Sequence, residues 1–225
     1  MTATQHLLIA SALLTAFVFM YAPQRSAGFV YEDERMMESC DGPIIATSPR
    51  SWSRSLARAS WCWQRLATPS SQAFHLANLA LHLVVVALLG ALLWSLTGSS
   101  AATWAGVAVF GLGRVQIESV AYAAGRDEAI AAIGVLIACL AALDRRWGFM
   151  LVGLVVGMLG KETAVVSLAL IPLCRWLKHE TSGAWIGAAW VVMAGLVAYA
   201  GIWANFWSDL IGPVRWALLQ TTAIV

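Results

Sequence analysis

Residues 28–40 read GFVYEDERMMESC, and three consecutive acids, Glu32, Asp33 and Glu34, follow an aromatic stretch. Carboxylates at such a point suit general-base catalysis or ligation of a divalent metal, because both tasks need an ionisable oxygen. A solvated loop with helix-capping acids would carry the same residues. His75, Asn78 and His82 recur at i, i+3 and i+7, which places them on one face of a helix. At about 1.5 Å per residue the two histidines lie roughly 10.5 Å apart along that helix, too far to share an ion directly. They read as a polar seam between helices, with His75, at the end of the segment, the better candidate for a ligand contact. The third group is Arg126-Asp127-Glu128 together with Lys161-Glu162. Ion pairing explains such charges, and so does a cation kept to bind the phosphate of a lipid-linked donor.

These groups sit in an unusually apolar chain. Hydrophobic residues make up 60% of the 225 residues and charged ones 12%, with twelve Trp. A soluble domain carries about 25% charged and about 45–50% apolar residues, so the excess points to a polytopic membrane protein. The net charge of +2 is too small to argue for a nucleic-acid partner. Cys40, Cys62, Cys139 and Cys174 show no metal-ligand pair spacing. Cys139 and Cys174 fall in apolar segments and read as small buried hydrophobes. Cys40 and Cys62 share one polar loop and could pair if that loop faces an oxidising compartment. No phosphate-cradling loop, nucleophile elbow, HExxH motif or internal repeat is present.

A helix crossing about 30 Å of hydrocarbon needs about 20 residues. The runs 6–22 and 74–96 meet that length, as does 183–204. The leader MTATQ lacks the positive region of a signal peptide, so 6–22 is expected to stay as a first span. Shorter apolar stretches cover 101–113, 129–143, 149–160 and 163–174, and a polar loop covers about 23–72. If 149–174 were one helix, Lys161-Glu162 would lie at mid-membrane, at about 2.5–3.5 kcal/mol for each charge. Two short segments turning at Lys161-Glu162 avoid this and keep Arg145-Arg146 and Arg175/Lys178 on one cytoplasmic side. The acidic loop, Arg126-Asp127-Glu128 and Lys161-Glu162 then share the other face. Gly153/Gly157 and Gly183/Gly187 are small-xxx-small packing motifs, the latter equally suited to a partner subunit.

The order of motifs FVYEDERMMES, FHLANLALHL, IESVAYAAGRDEAIAAIGVLIACLAAL and LVGLVVGMLGKETAVVSLALIPL resembles the polytopic type-C glycosyltransferases. It is most similar to the transmembrane and tetratricopeptide-repeat O-mannosyltransferases and their bacterial relatives, without the repeat domain. ESVAYAAGRDE and GKETAVV are the most specific parts. Where such relatives carry His-Pro-x-His, this chain has Gly113-Arg114-Val115-Gln116.

The resemblance implies a sugar donor linked to polyprenyl phosphate, with transfer to an acceptor hydroxyl on the external face. Glu32 and Asp33 match the acidic pair of the first loop, Asp33 being the expected catalytic carboxylate. Arg126 or Lys161 would hold the donor phosphate, and His75, Asn78, His82, Glu118 and Glu162 match further polar positions. The expected architecture is all-α, a single membrane domain over 1–225 with one long external loop. The expected location is a bacterial inner membrane, with polyprenyl-phosphate lipid and other membrane subunits as partners. The other reading keeps the scaffold without catalysis, as a structural subunit of a larger membrane complex.

Overall fold

A computed structural model describes residues 1–41, 54–113 and 116–178, all within one unit of the chain, and these contain helices and no strand. The span expected over 183–204, with Gly183 and Gly187, lies outside the described residues. The α-helices are α1 (Ala3–Tyr21), α2 (Tyr31–Ser39), α3 (Ser55–Ala67), α4 (Ser71–Thr97) and α5 (Ser100–Gly111). They continue with α6 (Gln116–Ala121), α7 (Arg126–Leu143), α8 (Trp147–Gly160) and α9 (Ser167–Leu177). Two short 3-10 turns, Ala123–Gly125 and Glu162–Val166, lead into α7 and α9. The all-α expectation holds. A chain this apolar favours helices because each satisfies its backbone hydrogen bonds within itself.

α1 and α4 are long and apolar enough to cross a membrane, and α5 and α8 are shorter apolar helices. Local chemistry sets their ends. Thr2 and Gln5 form a reciprocal capping box on α1. Gly98, with φ +60°, closes α4, and Ser99 then caps α5 through the Ala102 amide. The TGSS sequence thus makes a tight reversal, and α5 packs back along α4.

α7 and α8 form a second antiparallel pair, and small residues decide how close they come. A methyl added to Gly134 would sit 2.2 Å from the Gly157 nitrogen, and one on Gly153 2.6 Å from the Ala138 nitrogen. Backbone therefore touches backbone, the arrangement that small-xxx-small spacing permits. α9 returns along α7, where Cys139 and Cys174 are both buried in one apolar cluster with Leu92, Ala131, Val135 and Leu143. Both cysteines are unbridged.

This reversal fixes the ends of the bundle. The Arg175 guanidinium lies 5.2 Å from the Trp147 ring, so the end of α9 meets the start of α8 next to Arg145-Arg146. Lys161 reaches Asp127 and Glu128 at the opposite end. The two basic segments therefore share one end, as the paired short-segment arrangement requires. Many apolar side chains face outward, among them Leu7, Leu8 and Phe19 on α1 and Phe149, Leu151, Val152 and Val155 on α8. So much outward apolar surface suits lipid or another protein better than water.

The polar stretch after α1 carries helices in its described residues. It contains α2 and α3, and Cys40 and Cys62 are joined by a disulfide with Cα atoms 5.3 Å apart. A structural disulfide belongs with an oxidising compartment.

Two outcomes are expected. Gly134→Val should destabilise the protein in detergent by more than the usual overpacking cost of about 1–3 kcal/mol, read as a lowered thermal unfolding midpoint, because backbone blocks the added atoms. Gly148→Ala, where nothing lies within 4 Å, should leave it unchanged. Single cysteines at 146 and 178 should be labelled by an impermeant maleimide from the same side of a sealed vesicle. Labelling from opposite sides would contradict the hairpin.

Candidate functional site

The turn Tyr122-Ala123-Ala124-Gly125 is where the sequence motifs meet. Its tightness depends on glycine, since a methyl on Gly125 would lie 2.5 Å from the Ser119 carbonyl oxygen. Asp33, in the first turn of α2, is fully buried. Its Oδ2 accepts from the Val30 amide at 3.1 Å, closing the N-terminus of its own helix. Its Oδ1 accepts from the Ala124 amide at 2.8 Å, which fastens α2 to the turn. Asn78 approaches the same turn from α4, donating from Nδ2 to the carbonyls of Tyr122 at 2.7 Å and Ala123 at 3.2 Å.

Arg126 follows immediately and is 3% exposed. Its Nε donates to Asn78 Oδ1 at 3.0 Å, its Nη1 to the Ser60 carbonyl at 3.2 Å, and its Nη2 to Gln64 Oε1. The guanidinium carbon lies 5.2 Å from the Phe74 ring centre and 5.9 Å from that of Trp61. Aromatic faces and carbonyl oxygens can hold a buried cation in this way. Burial nevertheless pushes the Arg126 pKa down to about 10, outside the apolar stretch 129–143. Trp61, Phe74 and Ala123 form an apolar cluster beneath these contacts, with Phe29, Met36 and Met37 against it.

A second group adjoins the first through Asp127. Lys161 Nζ lies 3.4 Å from Asp127 Oδ2 and hydrogen-bonds Glu128 Oε1. Arg54 pairs with Glu162 at 3.0 Å and lies 3.6 Å from Asp127. Three carboxylates thus surround two cations. Burial raises the Asp127 pKa, while Lys161 and Arg54 pull it back. Burial opposes the Lys161 ammonium, but the Glu128 hydrogen bond and the Asp127 and Glu128 charges carry its pKa above the ordinary value.

The structure therefore brings Asp33, Asn78 and Arg126 onto one turn and sets Lys161 and Glu162 beside it. Glu32 lies in the first turn of α2 and Glu118 on α6, with side chains outside the described set. His82 does not join them. It is buried near the Gly111 carbonyl, 3.4 Å from Nε2, among the rings of Phe17, Tyr21 and Phe110. His75 faces a separate cavity. Among the described residues no group of three or more His, Cys, Asp or Glu is placed to hold a metal, and both Asp33 oxygens already accept from amides.

Sequence reasoning missed α3. Ser60, Trp61 and Gln64 enclose Arg126, and Arg54 completes the charged group. The signal was present: Arg54, Ala57, Trp61 and Gln64 recur at helical spacing within a stretch read as loop.

Removing these contacts should show in stability. Asn78→Ala leaves the Arg126 Nε buried without its acceptor, and Asp33→Asn sets an amide group against a backbone N–H. Each should cost about 1–3 kcal/mol, read as a lowered unfolding midpoint in detergent. No change in either variant would contradict the hydrogen-bond assignments.

No family model matches the chain, and no curated protein or solved structure matches it.

Proposed function

We propose that the chain is a multi-pass membrane glycosyltransferase. It moves a sugar from a polyprenyl-phosphate-linked donor to an acceptor hydroxyl at the external face of a bacterial inner membrane. The supporting observation is the hydrogen bond from the Ala124 amide to Asp33, which joins the acidic stretch to the GRDE segment. These are two of the stretches that carry the resemblance to type-C glycosyltransferases. The disulfide at the same end supports placing it outside. α1 and α4 are two of the spans; α5 packs along α4, and α8 and α9 pack along α7.

Within the acidic pair, the described contacts of Asp33 are what suggest the division of roles. Asp33 has both oxygens engaged with backbone and acts as a brace. Glu32, its neighbour in the same helical turn, supplies the base toward the acceptor. Lys161, with Arg54, is better placed than the enclosed Arg126 to hold the donor phosphate as it leaves. Glu128 takes one of the three ammonium donors of Lys161 and its charge competes with a phosphate there, so phosphate binding favours release of Glu128.

A specific observation favours a second reading, that of a non-catalytic subunit. Arg126 and Asp33 are each sealed, and Lys161 is already paired. A scaffold would use all three as structural ties and bind other membrane subunits through the apolar faces of α1 and α8.

Transfer from a polyprenyl-phosphate sugar by the purified protein separates the two. In the transferase, Glu32→Gln should lower turnover by about 10²–10⁴-fold, the usual worth of a positioned base, without moving the unfolding midpoint. Glu128→Gln should tighten binding of polyprenyl phosphate, and Lys161→Met should weaken it. Unchanged turnover in Glu32→Gln would remove that residue from the chemistry. Wild-type protein that transfers nothing yet co-purifies with other membrane proteins would establish the scaffold reading.

A further inference from the structure

His75 is 4% exposed, and neither of its ring nitrogens has a hydrogen-bond partner. It stands one residue after Phe74 and three before Asn78, so it leaves α4 roughly 60–100° round from the face that meets Arg126. There it borders a cavity of about 70 Å³ between the end of α1, α4 and α6, lined also by Val18, Tyr21, Ala22, Leu76, Leu79 and Val120. A buried imidazole with both nitrogens unpaired is unfavourable, and an occupant that hydrogen-bonds it removes the cost.

The lining selects the occupant. An anion would meet no balancing cation, since no charged side chain lies among the other lining residues. An ammonium would meet no carboxylate there. A neutral hydroxyl both donates and accepts, so it suits whichever tautomer the ring adopts. The space admits a group of a few heavy atoms.

We propose that the His75 cavity binds the hydroxymethyl end of a neutral acceptor, with one ring nitrogen hydrogen-bonded to its hydroxyl and the aliphatic lining around its carbon. The proposal rests on the transferase reading for its biological use, since it gives that reaction an acceptor position on α4. Its chemistry is testable without turnover.

The test is a titration of the full-length protein in micelles with ethanol, following the ¹⁵N signals of the imidazoles, assigned by substitution. One His75 nitrogen should shift saturably. In His75→Phe the remaining imidazoles should show no saturable shift. In His75→Asn, which keeps a polar side chain, calorimetry should still detect ethanol binding, weaker by about tenfold, as loss of part of a buried hydrogen bond predicts. Unfolding midpoints of both variants control for misfolding. A linear drift equal in wild type and His75→Phe, or His75 signals of a water-bound ring indifferent to ethanol, would overturn the proposal. Should the protein transfer no sugar, the transferase reading falls while the titration still decides the cavity. Should it transfer sugar with an acceptor KM unchanged in His75→Phe, the cavity falls and the transferase stands.

Discussion

A guanidinium cannot be taken out of water without replacing the hydrogen bonds it leaves behind. Arg126 meets this constraint with contributions from two other helices: Asn78 from α4, and the Ser60 carbonyl and Gln64 from α3. Trp61 and Phe74 supply the faces around it. The same Asn78 holds the turn before Arg126, and that turn holds Asp33. Burying one cation therefore sets where α2, α3, α4 and α7 meet. The disulfide and the Arg65 hydrogen bond to the Met37 carbonyl then clip α2 to α3 from the side.

The α7–α8 pair delivers the rest of the charged end. Close backbone contact at Gly134, Gly153 and Gly157 lets α8 run back along α7, which returns Lys161 and Glu162 to the level of Asp127. Asp127 and Glu128 follow Arg126 directly in the chain, so the enclosed cation and the more open ionic group are built on consecutive residues. The first is sealed and serves as structure. The second includes the partly exposed Arg54, Glu128 and Glu162, and so is the part that can exchange partners with a ligand.

Much of this was legible in the sequence. Apolar composition gave the helices, and the cost of mid-membrane charge gave the reversal at Lys161-Glu162. The shared polar stretch of Cys40 and Cys62 gave the possibility of their bond. The i, i+3, i+7 spacing placed Asn78 and His82 against neighbouring helices, where both find carbonyl oxygens. What was not legible depended on long-range pairing. For Asp33 the sequence left a catalytic carboxylate, a metal ligand and a helix-capping acid open, because acids in a loop and acids at a helix start share the same letters. Its capture by the Ala124 amide exists only once α2 docks. Arg54 and Gln64 were hidden because proline-bearing flanks made their surroundings read as loop, although their spacing was helical.

The central claim is that the charged end at Lys161 and Arg54 receives a lipid-linked phosphate. Determining the structure of the purified protein with bound polyprenyl phosphate tests it most directly. The phosphate should lie within hydrogen-bond distance of Lys161, with Glu128 displaced from the ammonium. A phosphate held instead at the opposite end, among Arg145, Arg146 and Arg175, would contradict it.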